Sequence, residues 1–265
     1  MRLLNAPNLL LFLIFSFLKP WISMASSQCT ENAPVLDASS GEGHVLNDLG
    51  GFRAYVSGDP KSKHVVLLIS DVYGIDAPKL RKIADKVGAS KFYCVVPDFF
   101  HGDPYVDNNP KRPLEAWLKD HPPQKGFEDA KLVIKALRKE HKYDIGVAGF
   151  CWGGKVAVEF AKNVDINVMC KAIVLLHPAF VTVQDIEKVK IPIAILAAEK
   201  DEITPPSLVK EFEKILAKKP KIPSLVKIFI GVSHGFSVRY NDEFSEKKAI
   251  EAQKDMLDWL QKYVE

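Results

Sequence analysis

Strand-like and helix-like segments alternate along this chain from about residue 50 to the C-terminus. The strand-like runs are apolar and rich in β-branched residues, which is typical of parallel strands buried on both faces. They span residues 64–70, 92–97, 145–150, 171–177, 191–198 and 226–231. The helical stretches between them span residues 80–89, 126–140, 155–162, 207–217 and 243–263. This alternation predicts a doubly wound, mostly parallel α/β sheet flanked by helices.

Two further segments extend this plan. The segment "GGFRAYVSGDP" (50–60) has the pattern of an extra strand and turn, which we expect to pair antiparallel at one edge of the sheet. Residues 101–125 are rich in Pro, Asp and Asn and are predicted to form a long irregular loop. Such loops are either lids and binding loops or surface excursions without function, and both interpretations stay open at this point.

The size and charge of the chain limit its organisation and its partners. With 265 residues, 47% of them hydrophobic, one single-core domain is expected over residues 50–265, preceded by an N-terminal segment at 26–49. Lys and Arg number 36 against 33 Asp and Glu, and the charges are scattered. The net charge of +3 therefore creates no surface for nucleic acid or an anionic membrane. Monomer and homodimer both fit the sequence.

The first 25 residues have two interpretations. The apolar run "LLLFLIFSFL" (9–18) is too short to span a bilayer but has the length of a signal-peptide core, and Ser23 and Ala25 form a small-x-small cleavage site. Residues 1–25 are then a signal peptide and the product is secreted. Alternatively, translation starts at Met24, residues 1–25 are an upstream extension, and the product is cytoplasmic. The four cysteines favour the second interpretation, because keeping one as a catalytic thiol leaves three that cannot all pair.

The hexapeptide "GFCWGG" (149–154) lies directly between a predicted strand and a predicted helix. Gly149, Cys151 and Gly153 fit a G-x-C-x-G turn, which holds its central residue in a strained conformation with the side chain exposed above the carboxyl edge of the sheet. The free amides at the start of the following helix predict a lowered pKa for the thiol. Cys151 is therefore the predicted nucleophile. Cys94 and Cys170 are predicted to be buried structural residues within strands.

A nucleophilic thiol needs a base and an orienting acid, which follow it along the chain in this topology. Asp201 follows the strand at 191–198 in "ILAAEKDEITPP", and His234 follows the strand at 226–231 in "IFIGVSHGF". We expect Asp201 to fix the tautomer of His234, and His234 to take the thiol proton.

Several other residues could take roles at the same edge of the sheet. Glu199 and Glu202 compete with Asp201 for the role of the acid. His101 and His177 each lie just beyond the carboxyl end of a strand, where ligands bind in open α/β sheets.

Two other kinds of function fit parts of the sequence. The segment "GFCWGGKV" matches the P-loop pattern as far as Lys155, but Val156 stands where a Mg²⁺-binding hydroxyl is required, which disfavours nucleotide hydrolysis. A non-catalytic small-molecule binding protein on the same fold is the other alternative. The presence of all three triad residue types favours an enzyme.

Taken together, these motifs resemble those of the dienelactone hydrolase family, which has the α/β-hydrolase fold. The resemblance rests on "GFCWGG", "KDEITPP" and "GVSHGF", with "ISDVYG" (69–74) and "VPDFFHGDP" (96–104), and extends from about residue 30 to the C-terminus. It is strongest to plant members labelled endo-1,3;1,4-beta-D-glucanase. It implies a catalytic triad of Cys151, Asp201 and His234, and an oxyanion hole formed by the backbone N–H groups of Trp152 and Val72.

The resemblance also suggests residues that bind substrate or activate the thiol. The candidates are Asp71, Tyr73, His101 and Arg239. Bacterial lactone-cleaving members carry a Glu that helps to ionise the thiol where this sequence has Asp71, which is one methylene shorter. Those members hold a substrate carboxylate with arginines, for which Arg112 and Arg239 are the candidates here.

The predicted chemistry is acyl transfer. A thiol with a His base and an oxyanion hole suits hydrolysis of a small carboxylic ester, thioester or lactone, with no metal or cofactor. Hydrolysis of a β-glucan, which the plant label implies, normally needs two carboxylates around the scissile bond. Asp71, Asp98 and Asp103 lie near strand ends and could supply such a pair, so glucan hydrolysis stays as the named alternative.

Overall fold

One mixed sheet organises the part of the chain that the computed structural model describes, namely residues 27–140, 144–162 and 170–265. Within these residues the sheet has eight strands. They are β1 (His44–Leu46), β2 (Ala54–Ser57), β3 (His64–Ile69), β4 (Tyr93–Pro97), β5 (Asp144–Phe150), β6 (Ala172–Leu176), β7 (Ile193–Lys200) and β8 (Ser224–Ser233). All six strands predicted from the apolar runs are therefore present.

The strand order is β1-β2-β4-β3-β5-β6-β7-β8. Strands β4, β3, β5, β6, β7 and β8 are mutually parallel, and β2 is antiparallel to both of its neighbours. The predicted extra strand is thus confirmed as antiparallel, but its edge position is wrong, because β1 pairs outside it. The strand order reverses at β3, so the carboxyl ends of β3 and β5 meet where open α/β sheets bind ligands.

Seven α-helices lie within the described residues. They are α1 (Pro78–Ala89), α2 (Leu114–Asp120), α3 (Pro123–Glu140), α4 (Trp152–Lys162), α5 (Val183–Glu187), α6 (Pro206–Ala217) and α7 (Glu243–Val264). The five predicted helices are confirmed, with ends within three residues of the predicted bounds. The two short helices, α2 and α5, were not predicted because five to seven residues are too few to show helical periodicity.

Helices cover both faces of the sheet, as the doubly wound plan requires. Apolar side chains of α3, α4, α5 and α6 pack in one core cluster, and those of α1 and α7 pack in a second cluster on the other face. Strands β2 to β7 are almost completely buried, which explains their continuous apolar runs, whereas β1 and β8 at the two edges are only partly buried. The protein thus has the single-domain α/β architecture that the sequence predicts.

The N-terminal part of the described chain joins this domain. A 3₁₀ turn spans Ser27–Cys29, and Cys29 is fully buried in the core cluster that contains α3 and α4. The predicted signal core and cleavage site lie outside the described residues. Among the residues that the structure does describe, no helix has the length and apolar composition needed to span a membrane.

Candidate active site

Cys151 lies on a sharp turn between β5 and α4. Its φ angle is 51°, in the left-handed region that residues with a side chain rarely adopt. The flanking glycines are required by close backbone contacts. A Cβ at Gly149 would lie 2.0 Å from the Gly153 carbonyl oxygen, and a Cβ at Gly153 would lie 2.3 Å from that of Ile69. The elbow predicted from the glycine spacing is therefore present.

His234 and Asp201 form a buried pair next to this turn. Asp201 follows β7 and His234 follows β8, and His234 Nδ1 donates to Asp201 Oδ2 over 2.8 Å. The other carboxylate oxygen, Oδ1, accepts hydrogen bonds from the backbone N–H groups of Ile203 and Thr204 at 2.9 and 3.0 Å. Three hydrogen bonds fix the carboxylate, and the carboxylate fixes the imidazole.

The competing acids are placed elsewhere. Glu199 accepts a hydrogen bond from the backbone N–H of Gly231, and the side chain of Glu202 is exposed. Among the three acids considered from the sequence, Asp201 is the one that bonds to His234.

The sulfur of Cys151 lies close to the imidazole and to a second sulfur. The Cys151 thiol donates a hydrogen bond to the Cys29 sulfur at 3.9 Å. Both sulfurs and a ring nitrogen of His234 lie within 4.8 Å of one another. Because Nδ1 of His234 is bonded to Asp201, Nε2 is the nitrogen available to the thiols. It is buried and forms no hydrogen bond of ordinary geometry with the described residues.

The same three side chains are the group with metal-ligand geometry among the described residues. Two thiols and an imidazole are a donor set that suits a soft or borderline metal such as zinc. The three side chains also contact one another directly, so their closeness does not require a metal.

The burial of Cys151 overturns two expectations. The side chain was expected to be exposed above the sheet, but it is fully buried because Cys29 and the chain around it lie against it. The pKa was expected to be lowered, but burial and the neighbouring Cys29 raise the pKa of the Cys151 thiol, against the opposing effect of His234. Burial therefore disfavours a free thiolate at Cys151.

The imidazole of His234 has the opposite tendency. Burial lowers its pKa, but a negative charge on the Cys151 sulfur and the Asp201 carboxylate raise it by more, so that beside a thiolate the pKa of His234 reaches about 9. The buried carboxylate of Asp201 thus favours the positively charged imidazolium that forms when the ring accepts a proton.

Asp71 and Arg239 form a second buried pair beside the nucleophile. Arg239 Nη1 donates to Asp71 Oδ2 at 2.6 Å, and both side chains are almost completely buried. The guanidinium lies 5.4 Å from the centre of the Tyr73 ring. It is close enough to Cys151 for a thiolate there to raise the pKa of Arg239. Of the four residues suggested to bind substrate or activate the thiol, Asp71, Tyr73 and Arg239 thus lie together.

The fourth auxiliary candidate lies elsewhere. The ring of His101 packs against Phe52 with centroids 5.1 Å apart, and the residue is exposed rather than directed at the buried thiol. Arg112, the second arginine considered for a substrate carboxylate, pairs with Asp103 and Asp120 near the surface. Neither residue contributes a described contact to the thiol site.

The N–H groups expected to form an oxyanion hole flank the turn. Trp152 is the first residue of α4, where helix geometry leaves the N–H groups without partners in the helix. Val72 lies in the loop after β3, and the close approach of Ile69 to Gly153 shows that the end of β3 packs directly against the elbow.

The loop at 101–125 packs against the nucleophile's neighbour. His121 accepts a hydrogen bond from Trp152 Nε1 through its carbonyl oxygen at 2.9 Å, and the Phe100 ring lies 4.9 Å from that of Trp152. The segment contains helix α2 and buries Trp117, so the expectation that it is wholly irregular is wrong.

A second buried imidazole, that of His177, packs against His234. The ring of His177 lies edge-on to that of His234 with centroids 5.0 Å apart, and its Nδ1 is hydrogen bonded to the Ser237 hydroxyl at 2.9 Å. Burial lowers the pKa of His177 well below its usual range, so the ring is neutral. The position of His177 at a strand end suggests a role at this edge, whereas no sequence motif points to Ser237 as its partner.

Residues 27–32, which we call the N-terminal cover, lie over the site. The Gln28 and Glu31 carbonyl oxygens accept hydrogen bonds from Arg239 at 3.2 and 3.0 Å, and the Thr30 carbonyl accepts one from the Tyr73 hydroxyl at 2.8 Å. The cover was not foreseen from the sequence, because its contacts join residues more than 40 positions apart.

Lys155, the lysine of the incomplete P-loop pattern, is engaged by acids. Its Nζ atom lies 2.6 Å from Asp185 and 2.9 Å from Glu159, and the side chain is buried. The ion pair with Asp185 links α4 to α5. Both acids neutralise the positive charge of Lys155, which is therefore not free to bind a phosphate group.

Comparison with known proteins assigns the chain to a family. The sequence model described as "Dienelactone hydrolase family" matches residues 52–264. This chain belongs to the dienelactone hydrolase family. The family is one of hydrolases, so the chain is a hydrolase by family membership.

Its similarity to individual relatives agrees with this assignment. The chain is 45% identical over 204 residues to a Zea mays protein named "Endo-1,3;1,4-beta-D-glucanase", covering 75% of this chain and 65% of that protein. It is 32% identical over 218 residues to a "Carboxymethylenebutenolidase homolog" of Xenopus tropicalis, covering 80% and 87% respectively.

A solved structure supports the fold. A dienelactone hydrolase-like promiscuous phosphotriesterase from metagenomic libraries superposes with a TM-score of 0.63 at 15% identity, covering 84% of this chain and 98% of that one. At this identity the likeness establishes the α/β-hydrolase fold and carries no information on substrate.

Proposed function

We propose that this dienelactone hydrolase family member hydrolyses a carboxylic ester, thioester or lactone, with Cys151 as nucleophile, His234 as base and Asp201 as orienting acid. One observation carries the proposal. A thiol on a strained elbow, an imidazole and a carboxylate come from three different strand ends, and the carboxylate–imidazole bond is 2.8 Å long with both side chains fully buried.

The reaction starts when the substrate carbonyl reaches the sulfur. His234 takes the thiol proton at Nε2 as the sulfur attacks the carbonyl carbon, and Asp201 stabilises the imidazolium. The carbonyl oxygen becomes an oxyanion, which the N–H groups of Trp152 and Val72 can stabilise by about 3 kcal/mol each. His234 then returns the proton to the departing alkoxide or thiolate, leaving a thioester on Cys151.

Water completes the cycle. His234 removes a proton from the attacking water, the second tetrahedral intermediate collapses, and the acid product leaves with regeneration of the thiol. The nearby pair of Asp71 and Arg239 contributes a positive guanidinium that favours the thiolate. Because Cys151 is fully buried, substrate reaches the sulfur only when the N-terminal cover moves aside.

The carboxylates that glucan hydrolysis would use are already paired with cations. Asp71 pairs with Arg239, and Asp103 pairs with Arg112, whose hydrogen bond lowers the pKa of Asp103. Asp98 accepts hydrogen bonds from two backbone N–H groups and lies 3.4 Å from Arg53. A glycosidase needs one protonated carboxyl group, and the pairing of Asp103 with Arg112 favours its ionised form.

A substrate panel tests the proposal. Purified protein is assayed with short-chain aryl esters, an aryl thioester, a six-membered aryl lactone and mixed-linkage β-glucan. We expect turnover of acyl substrates that is lost in Cys151→Ala and kept in Cys170→Ala, a matched variant of another buried thiol. Equal acyl hydrolysis by Cys151→Ala and wild type contradicts the proposal.

A further inference from the structure

Cys29 is a buried thiol that the proposed hydrolysis does not use. Its sulfur is 3.9 Å from that of Cys151, although the two residues are 122 positions apart in the chain. All four cysteines of the described chain are free thiols. A second thiol in contact with a nucleophilic one has a specific chemical capability, since it can convert a sulfenic acid into a disulfide.

We propose that Cys151 and Cys29 form a redox modification site, in which a peroxide oxidises Cys151 and Cys29 resolves the product into a reversible disulfide. The inference extends the proposed function from catalysis to control of the same thiol. It rests on the contact between the two sulfurs and on the place of Cys29 in the N-terminal cover.

The position of Cys29 gives the disulfide a consequence. The cover is held by side-chain-to-backbone hydrogen bonds, such as those from Arg239 and Tyr73 and that from the Glu202 N–H to Gln28. These contacts and the packing of Cys29 are all noncovalent, so the cover can open for substrate without breaking a covalent bond. A covalent bond from Cys29 to Cys151 instead fixes the cover over the site and consumes the nucleophile.

The chemistry balances with a peroxide as the only oxidant. The Cys151 thiolate attacks one peroxide oxygen, the O–O bond breaks, the sulfur becomes a sulfenic acid and the other oxygen leaves as water. The Cys29 thiolate then attacks the Cys151 sulfur, and the S–O bond breaks with release of a second water after protonation. A dithiol reverses the step by two thiol–disulfide exchanges and is itself oxidised.

The other two cysteines lie too far away to take part. Cys94 points into the core cluster on the opposite face of the sheet. Cys170 precedes β6 and lies near its amino end, whereas Cys151 follows the carboxyl end of the adjacent parallel strand β5. A strand of this length separates them by roughly 15 Å. Both cysteines therefore serve as internal controls.

Disulfide mapping tests the proposal. Fully reduced protein is freed of reductant, treated with a small molar excess of hydrogen peroxide, alkylated and digested without reduction, and the peptides are identified by mass spectrometry. We expect a peptide pair joined through Cys29 and Cys151, with Cys94 and Cys170 alkylated. Activity towards an aryl ester should be lost with the same time course and should return with dithiothreitol.

The Cys29→Ser variant distinguishes disulfide formation by Cys29 from oxidation of Cys151 alone. In peroxide-treated Cys29→Ser, Cys151 should progress to sulfinic acid, so that dithiothreitol no longer restores the activity that this variant had before treatment. Cys170→Ser should behave like wild type. The proposal is overturned if wild-type Cys151 is recovered as sulfinic acid with Cys29 alkylated, or if Cys29→Ser recovers as fully as wild type. The mapping reads the state of each cysteine and does not depend on turnover. A failure of the redox proposal can therefore be told apart from a failure of the proposed esterase function.

Discussion

The imidazole of His234 donates through Nδ1 to Asp201 Oδ2 at 2.8 Å, and neither side chain has exposed surface. Asp201 uses its other oxygen to accept two backbone N–H groups, so it cannot rotate away from the imidazole. Since Nδ1 is engaged in this bond, Nε2 is the ring nitrogen that faces the thiols. The carboxylate therefore determines which ring nitrogen can act as the base.

Substitutions in this pair should reduce turnover to different extents. His234→Ala removes the base and is expected to lower kcat/KM by at least roughly 10²-fold. Asp201→Asn is expected to cost less than His234→Ala, because a thiol ionises more readily than a hydroxyl and depends less on the orienting acid. Glu202→Gln is the matched control and should retain wild-type kcat/KM; a greater loss in Glu202→Gln than in Asp201→Asn would show that the acid has been misassigned.

The raised pKa of His234 links stability to pH. Its folded-state value of about 9 lies above the unfolded value of about 6.5. The imidazolium, which the charge on the Cys151 sulfur and the Asp201 carboxylate favour, therefore contributes stability that is fully present below about pH 6.5 and is lost as the pH rises through about 9. We expect the free energy of unfolding, measured by urea denaturation, to fall between pH 6.5 and 8.5, before the buried thiols contribute.

Asp201→Asn provides the control for this pH dependence. Removing the carboxylate lowers the pKa of His234, so the fall in unfolding free energy between pH 6.5 and 8.5 should become smaller. The titration of His234 can also be followed directly by NMR of the ring nitrogens. An equally steep fall in wild type and Asp201→Asn would show that the pair is not the cause.

The buried pair of Asp71 and Arg239 should matter for stability as well as for the site. Removing one partner leaves an uncompensated buried charge, so Arg239→Met is expected to cost about 3–5 kcal/mol of unfolding free energy. The double variant with Asp71→Leu removes both charges and should be more stable than Arg239→Met alone. Urea denaturation of the four proteins in this cycle measures the coupling. Additive costs would mean that the two side chains act independently.

The sequence predicted the sheet and the strand-end positions of Cys151, Asp201 and His234 better than it predicted their surroundings. Continuous β-branched runs, regular helices and a glycine-bracketed cysteine are local signals, and all of them have counterparts in the structure. Helix α2 and strand β1 are too short to give such a signal. The contact between Cys29 and Cys151 is invisible to local patterns, because it depends on where the N-terminal cover folds back.

The protonation state of Cys151 shows a second limit of the sequence. The glycine elbow and the helix N-terminus predicted a lowered pKa, and both features are present. Burial and the neighbouring Cys29 nevertheless raise the pKa of the thiol, and they outweigh the lowering effect of His234. The size of that burial depends on Cys29 and on the tertiary contacts of Arg239, which no local pattern encodes.

Detection of an acyl group on Cys151 tests the central claim most directly. Protein is mixed with a short-chain aryl ester, quenched in acid within the first turnover, and digested for mass spectrometry. A burst of phenol equal to the enzyme concentration is expected, together with a thioester on the peptide containing Cys151, and both should be absent in Cys151→Ala. Mixed-linkage β-glucan should release little reducing sugar under the same conditions. Glucan cleavage that persists in Cys151→Ala and disappears in Asp71→Asn or Asp98→Asn, with no acyl group on Cys151, would contradict the account.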